Sequence, residues 1–167
     1  MDIHSETTTF ASTRAPTVFV RSLFSGTIAG LAVTATAAAF GRRANRSGAA
    51  PINATSHVIW GDHAAGAQDG VSARFTGLGF AINHASAIFW ALIFERVIGR
   101  NASPSRILAS AAAVAATAYV VDYHVVPKRL TPGWELRLPR RSLTGIYAAL
   151  AMSLAVAGLL EQRQAMR

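Results

Sequence analysis

From Gly77 to Arg96 the chain is apolar almost throughout, yet Asn83 and His84 sit near the middle of the run and Glu95 near its end. At a rise of about 1.5 Å per residue, roughly 20 residues cross the hydrocarbon core of a bilayer. With His84 as zero and about 100° per residue, Gly77, Ile88, Ala91 and Glu95 fall near one meridian. Ile82, Phe89 and, nearer the flanks, Ile93 take the opposite side. Small residues and ionisable groups on one face, with bulky apolar ones on the other, describe a bundle helix whose polar face turns inward and whose apolar face meets lipid.

Three further runs share this character. Only 14% of the 167 residues are charged and 51% are apolar, whereas soluble domains carry about a quarter charged residues. The spans are expected at about 19–40, 75–96, 106–126 and 142–160 within a membrane domain covering 17–161. Residues 1–16, polar and rich in Ser and Thr, read as a disordered tail, and 162–167 as a short polar one. The fold class is therefore all-α, an integral membrane four-helix bundle with short connections and antiparallel neighbours.

The first run holds Gly26 and Gly30, a spacing that lets a second helix approach closely. The small residues 35–39 at its end also resemble a signal-peptidase site, but the length of the run and the following Arg42 and Arg43 favour a retained helix. In the 41–74 connection, Pro51 opens a short interfacial helix that Gly61 closes, with a loop over 62–74. Asn53, Ala54 and Thr55 match a glycosylation sequon, a pattern too common to weigh. The third run is mostly alanine, and Ala118, Ala115, Ala111 and Leu108 share a stripe with Asp122. Pro127 stops it, and the segment 131–135 reads as a turn with Trp134 as an interfacial anchor.

The net charge of +8 does not point to nucleic acid, because the basic residues cluster at the edges of the apolar runs, as with Arg42, Arg43, Lys128, Arg129, Arg140 and Arg141. Anionic headgroups are the simpler partner. The side bearing the 41–74 connection is the richer in Lys and Arg, so both termini are expected outside. There is no cysteine, which excludes disulfides and thiolate metal sites.

Chemistry, if present, rests on Asn83, His84, Asp122, His124 and His57, read as a polar track entering from the long-connection side. His84 is either a proton-relay group or ligand, or a neutral imidazole bonding a neighbouring helix. Asp122 is either a protonatable carboxylate inside the bundle or an interfacial group reaching water or Lys128. Glu95 beside Arg96 reads as a solvated helix end. For a metal, His57, His63, His84 and His124 with Asp62 or Asp122 are the available donors, but no two histidines are spaced i, i+4 and there is no HExxH. His124 lies about 200° around a regular helix from Asp122. Phosphate-cradling glycine loops, nucleophile elbows and dinucleotide fingerprints are absent from the sequence, and no cofactor is expected.

Three groups of residues carry a resemblance: Asn53 to His57 with Trp60 and Gly61; Asn83 to Ser86 with Phe89, Trp90 and Glu95; and Asp122 and Tyr123 with Val126 to Glu135. Over about 22–160 the chain resembles small four-span inner-membrane proteins of proteobacteria, and its Thr131, Pro132, Trp134 and Glu135 resemble a segment of YagU-type proteins. The resemblance implies a bacterial inner membrane and four spans, and transfers no catalytic residue. The expectation is a non-enzymatic membrane protein with a structural or envelope-homeostasis role. Its partners would be lipids and a second copy, through the Gly and Ala faces, or another membrane protein. The rivals are a small transporter or proton-conducting subunit using His84 and Asp122, and a membrane metal or haem enzyme.

Overall fold

A computed structural model describes residues 17–165, so the polar tail 1–16 and the last two residues lie outside the described residues. Seven α-helices run α1 (Val18–Asn45), α2 (Ala50–Thr55), α3 (His57–Trp60), α4 (Asp62–Gly66), α5 (Leu78–Ile98), α6 (Pro104–Val120) and α7 (Arg140–Ala165), with no strand among the described residues. Four of these are long and apolar enough to cross a membrane: Val18–Asn45, Ala73–Ile98, Pro104–Val125 and Arg140–Gln164.

Local signals set the helix ends. The Thr17 hydroxyl accepts from Val20 N at 3.3 Å and Ser103 does the same for Arg106, with Pro104 at the first helical position. Gly99, at φ 69°, closes α5 where a side chain would be strained. The α1 helix continues past Phe40 to Asn45, with Arg42 and Arg43 in its last turn against the negative end of the helix dipole.

The long helices form a ring in the order α1, α5, α6, α7, with α1 against α5 and α7, and α6 against both of those as well. Neighbours are antiparallel. The α1–α5 seam is close because Gly26 and Gly30 are on it. A Cβ on Gly26 would stand 2.6 Å from the Ile88 Cα, and one on Gly30 2.6 Å from His84 Nδ1. This glycine face, considered above for a second copy, is occupied by α5 of the same chain.

On α5 the inward face includes Ala91 and Glu95 of the expected meridian but is centred to one side of it. Ala87, Trp90, Ala91, Phe94 and Ile98 are buried, and their mean direction lies roughly 65° around from His84 at about 100° per residue. The reason is size. Trp90 and Phe94 fill the centre of the bundle, where each ring removes on the order of 150–250 Å² from contact with solvent or lipid. The small residues rotate toward the α1 groove, and Phe89 faces out.

One end of the bundle carries a cap. The helix expected from Pro51 to Gly61 is broken at Ser56 into α2 and α3, and α4 occupies part of the expected 62–74 loop. The α2 helix is buried, while Ile59 and Trp60 on α3 remain exposed. Trp60 lies under the Arg74 guanidinium, 4.6 Å from the ring centre. Trp134, expected as an interfacial anchor, is instead buried, packed edge-on to Tyr147 with ring centres 6.0 Å apart. Gly133 explains the difference. At φ 79° it turns the chain so that Trp134 points into the bundle, and a Cβ there would stand 2.6 Å from Ala54 O and 2.7 Å from the His57 ring.

Candidate functional site

Of the candidate residues, Asn83 and Asp122 line one small cavity, while His84, His124 and His57 do not line it. The polar groups fall into four levels along the bundle, from the end where α1 begins to the cap.

At the first end, Arg21 of α1 stands between two carboxylates. Its Nε donates to Glu161 Oε2 of α7 at 2.7 Å, and its Nη2 pairs with Glu95 Oε2 of α5. Glu95 is completely buried and Arg21 is 9% exposed. Glu95, read from sequence as a solvated helix end, is thus an interior group. The antiparallel packing sets it opposite an arginine at the same depth, which makes burial tolerable. Even so, Arg21 Nη1 and Glu95 Oε1 have no hydrogen-bond partner among the described residues. Beside them opens a cleft of about 340 Å³ lined by Val20, Arg21, Phe24, Arg100, Glu161 and the two glutamines Gln162 and Gln164.

The second level is the α1–α5 seam. Asn83 Nδ2 donates to Thr34 Oγ1 at 3.0 Å and to Gly30 O at 3.4 Å. The His84 Nε2 lies 3.4 Å from Thr27 Oγ1, a long contact, and its ring stacks on Phe80 with centres 5.4 Å apart. The His84 Nδ1 is buried against Gly30 without a hydrogen-bond partner among the described residues. His84 faces the seam rather than the centre of the bundle.

The third level surrounds Asp122. A five-residue π-helical turn, Val121–Val125, ends the third span and reorients the chain beyond Asp122. Asp122 Oδ2 accepts from the Tyr147 hydroxyl of α7 at 2.6 Å. Asn83, Ser86, Asp122, Trp134 and Tyr147 share a small cavity of about 20 Å³, close to the size of a single water. His84 does not line it. His124 lies on the exposed side of the same turn, edge-on to Tyr119 at 5.7 Å, and does not join Asp122 at a common centre.

The fourth level is the cap. His57 is buried, with Nδ1 2.7 Å from Asp62 Oδ1 and Nε2 2.8 Å from Thr131 O. The ring thus bridges the Asp62 carboxylate and a backbone carbonyl. This bond set ties α3 and α4 to the segment after α6. Asn53, noticed in sequence only as part of a sequon, is wholly buried. It donates to Gln68 O at 3.0 Å and Gly70 O at 2.9 Å, and accepts from Thr76 Oγ1 at 2.6 Å. Thr131 Oγ1 donates to Glu135 Oε1 at 2.6 Å, so this part of the resembling segment is a self-bonded turn.

Among the described residues, no three His, Asp or Glu side chains converge as ligands for one ion. The residues that sequence reasoning passed over are Arg21, Glu161 and Tyr147, while Glu95 was named but read as solvated. A usable signal was the position of single charges one turn inside the ends of antiparallel runs, where they meet at equal depth.

No family model, curated protein or solved structure matches this chain.

Proposed function

We propose that this chain is a multi-pass integral protein of a bacterial inner membrane. Its intramembrane polar groups hold helices in register rather than perform catalysis, and its role is structural or in envelope homeostasis. The observation that carries this reading is the contrast between outside and inside. Leu31, Phe89, Leu108, Met152 and Val156, each more than half exposed, cover the outer faces of the long helices. An apolar belt of that extent is at home in lipid, not water. Inside, polar side chains are joined pairwise across helices: Asn83 to Thr34, Asp122 to Tyr147, and Arg21 to Glu95 and Glu161. In membranes such bonds act as interhelical adhesive, each contributing on the order of 1 kcal/mol.

The orientation with both termini outside rests on the larger number of Lys and Arg residues on the side of the 41–74 connection. The proton-conducting alternative is supported less. His84 and Asp122, its two carriers, face different spaces, one the α1–α5 seam and the other the small cavity.

The test has two arms. The full chain expressed in a bacterium should stay in the membrane pellet through alkaline carbonate washing. Purified protein in proteoliposomes should leave a transmembrane pH gradient decaying at the rate of empty vesicles. Release by carbonate would remove the membrane reading, and a protein-dependent proton leak lost in Asp122→Asn would replace the structural role with conduction.

A further inference from the structure

The cleft beside Arg21 is unlike the other polar levels, because it opens a sizeable volume beside groups of both charges. One guanidinium faces two carboxylates. Yet Arg21 Nη1, on a side chain about nine-tenths buried, is a donor without an acceptor among the described residues. Glu95 Oε1 is an acceptor without a donor. At the rim stands exposed Arg100, from the turn after α5. The wall of the cleft thus offers a cation, Arg100, to an anionic oxygen, and a carboxylate, Glu161, to a cationic donor.

The position of the cleft narrows the ligand. Arg21 is the fourth residue of α1, which places it about 5 Å inside the helix end at about 1.5 Å per residue. In a bilayer that is the boundary between headgroups and acyl chains. Two of its walls, Val20 and Phe24, are 52% and 42% exposed and apolar, continuous with the outer face of α1. A volume of about 340 Å³ accommodates a small polar headgroup.

We propose that this cleft binds the headgroup of a zwitterionic phospholipid bearing a primary amine. Its ammonium lies on Glu161, its phosphate reaches Arg100, and an acyl chain runs over Val20 and Phe24. A choline headgroup has no N–H to give the carboxylate, and the cleft has a single aromatic wall rather than a cage. A glycerol headgroup brings no cation. Arg100 is a phosphate-positioning residue and Glu161 the amine-selecting one. The proposal rests on the membrane placement above and goes beyond it.

Calorimetric titration of the full chain in maltoside micelles tests this, using dihexanoyl phosphatidylethanolamine, phosphatidylcholine and phosphatidylglycerol, and free O-phosphoethanolamine. The ethanolamine lipid should bind about tenfold or more tighter than the other two lipids, the size expected for one added charge-assisted hydrogen bond. Free phosphoethanolamine should bind more weakly than the lipid. Arg100→Gln, on the exposed rim where folding is indifferent to it, should weaken the ethanolamine lipid by a similar factor. Glu161→Gln should erase the preference over phosphatidylcholine. Equal binding of the three lipids, an unaffected Arg100→Gln variant, or free phosphoethanolamine binding as tightly as its lipid would each overturn the assignment. A chain that stays soluble and monodisperse without detergent would overturn the membrane placement itself, an outcome separate from any lipid preference.

Discussion

The Arg21 guanidinium of α1 meets the Glu95 carboxylate of α5 where the carboxylate has no exposure at all, and Glu161 of α7 closes on the same guanidinium. Three helices are thus fixed at one depth by one cation. Arg21→Met should leave two carboxylates facing each other and destabilise the bundle by about 3–5 kcal/mol. Glu95→Gln should cost clearly less, because Arg21 and Glu161 then form a balanced pair. Thermal unfolding in detergent orders the two. If Glu95→Gln proves the more damaging, the charge balance assigned to this level is wrong.

A second prediction concerns the glycine seam. Gly30→Leu should prevent α1 from seating on α5, since even a Cβ would meet the His84 ring at 2.6 Å. Accumulation in the membrane should fall sharply, while Leu31→Ala, on the outer face, should leave it unchanged. Equal accumulation of the two variants would place this glycine away from any helix contact.

The third concerns His84, whose one polar contact is the 3.4 Å approach to Thr27. Both His84→Gln and His84→Leu should fold, with Leu costing about 0.5–1.5 kcal/mol, the range of a single net hydrogen bond. A well-folded Gln variant with a complete loss of a growth or flux phenotype would instead make the imidazole a relay group.

The cap supplies a fourth. Gly133→Ala combines a left-handed φ, at about 1–2 kcal/mol, with a Cβ set 2.6 Å from Ala54 O. The expected loss exceeds the strain figure alone, and His57→Phe, which leaves Asp62 and Thr131 O unpaired, should also lower the melting temperature. A Gly133→Ala variant as stable as the parent would mean that the 131–136 segment does not pack on α2.

The fifth tests the ring of four spans. Single cysteines at Ala44 and Lys128 should label with an impermeant thiol reagent from one side of the membrane, and Ser103 and Gln164 from the other. Labelling of Ala44 and Ser103 from the same side would exclude four spans. Gly133, an obvious choice from sequence alone, is unsuitable because its backbone admits no side chain.

The four spans were legible because membrane-length apolar runs report on their surroundings directly, without tertiary context. The seam was legible too, since Gly26 and Gly30 have a spacing that only close approach rewards. The site was not. His84 drew attention as a titratable group amid apolar residues, but the rotation of α5 depends on where Trp90 and Phe94 find room, and this is decided by the other three helices. Glu95 was read by its neighbour Arg96, as a solvated helix end, and Arg21 drew no reading as a site residue. Their pairing depends on the antiparallel register of α1 and α5. The inward turn of Trp134 likewise depends on the φ of Gly133, a conformation that the residue type permits without requiring.

The depth shared by Arg21 and Glu95 also bears on how the chain enters its membrane. Synthesis delivers Arg21 first, Glu95 second and Glu161 last. When α5 arrives, its acidic group finds a counter-ion already lodged in α1, so the two can partition into lipid as an electrically neutral hairpin. Only the final helix adds an unbalanced carboxylate, and it does so when a docking partner already exists. Reversing the charges of Arg21 and Glu95 would keep the pair but leave the last helix facing a glutamate, converting its insertion from assisted to opposed.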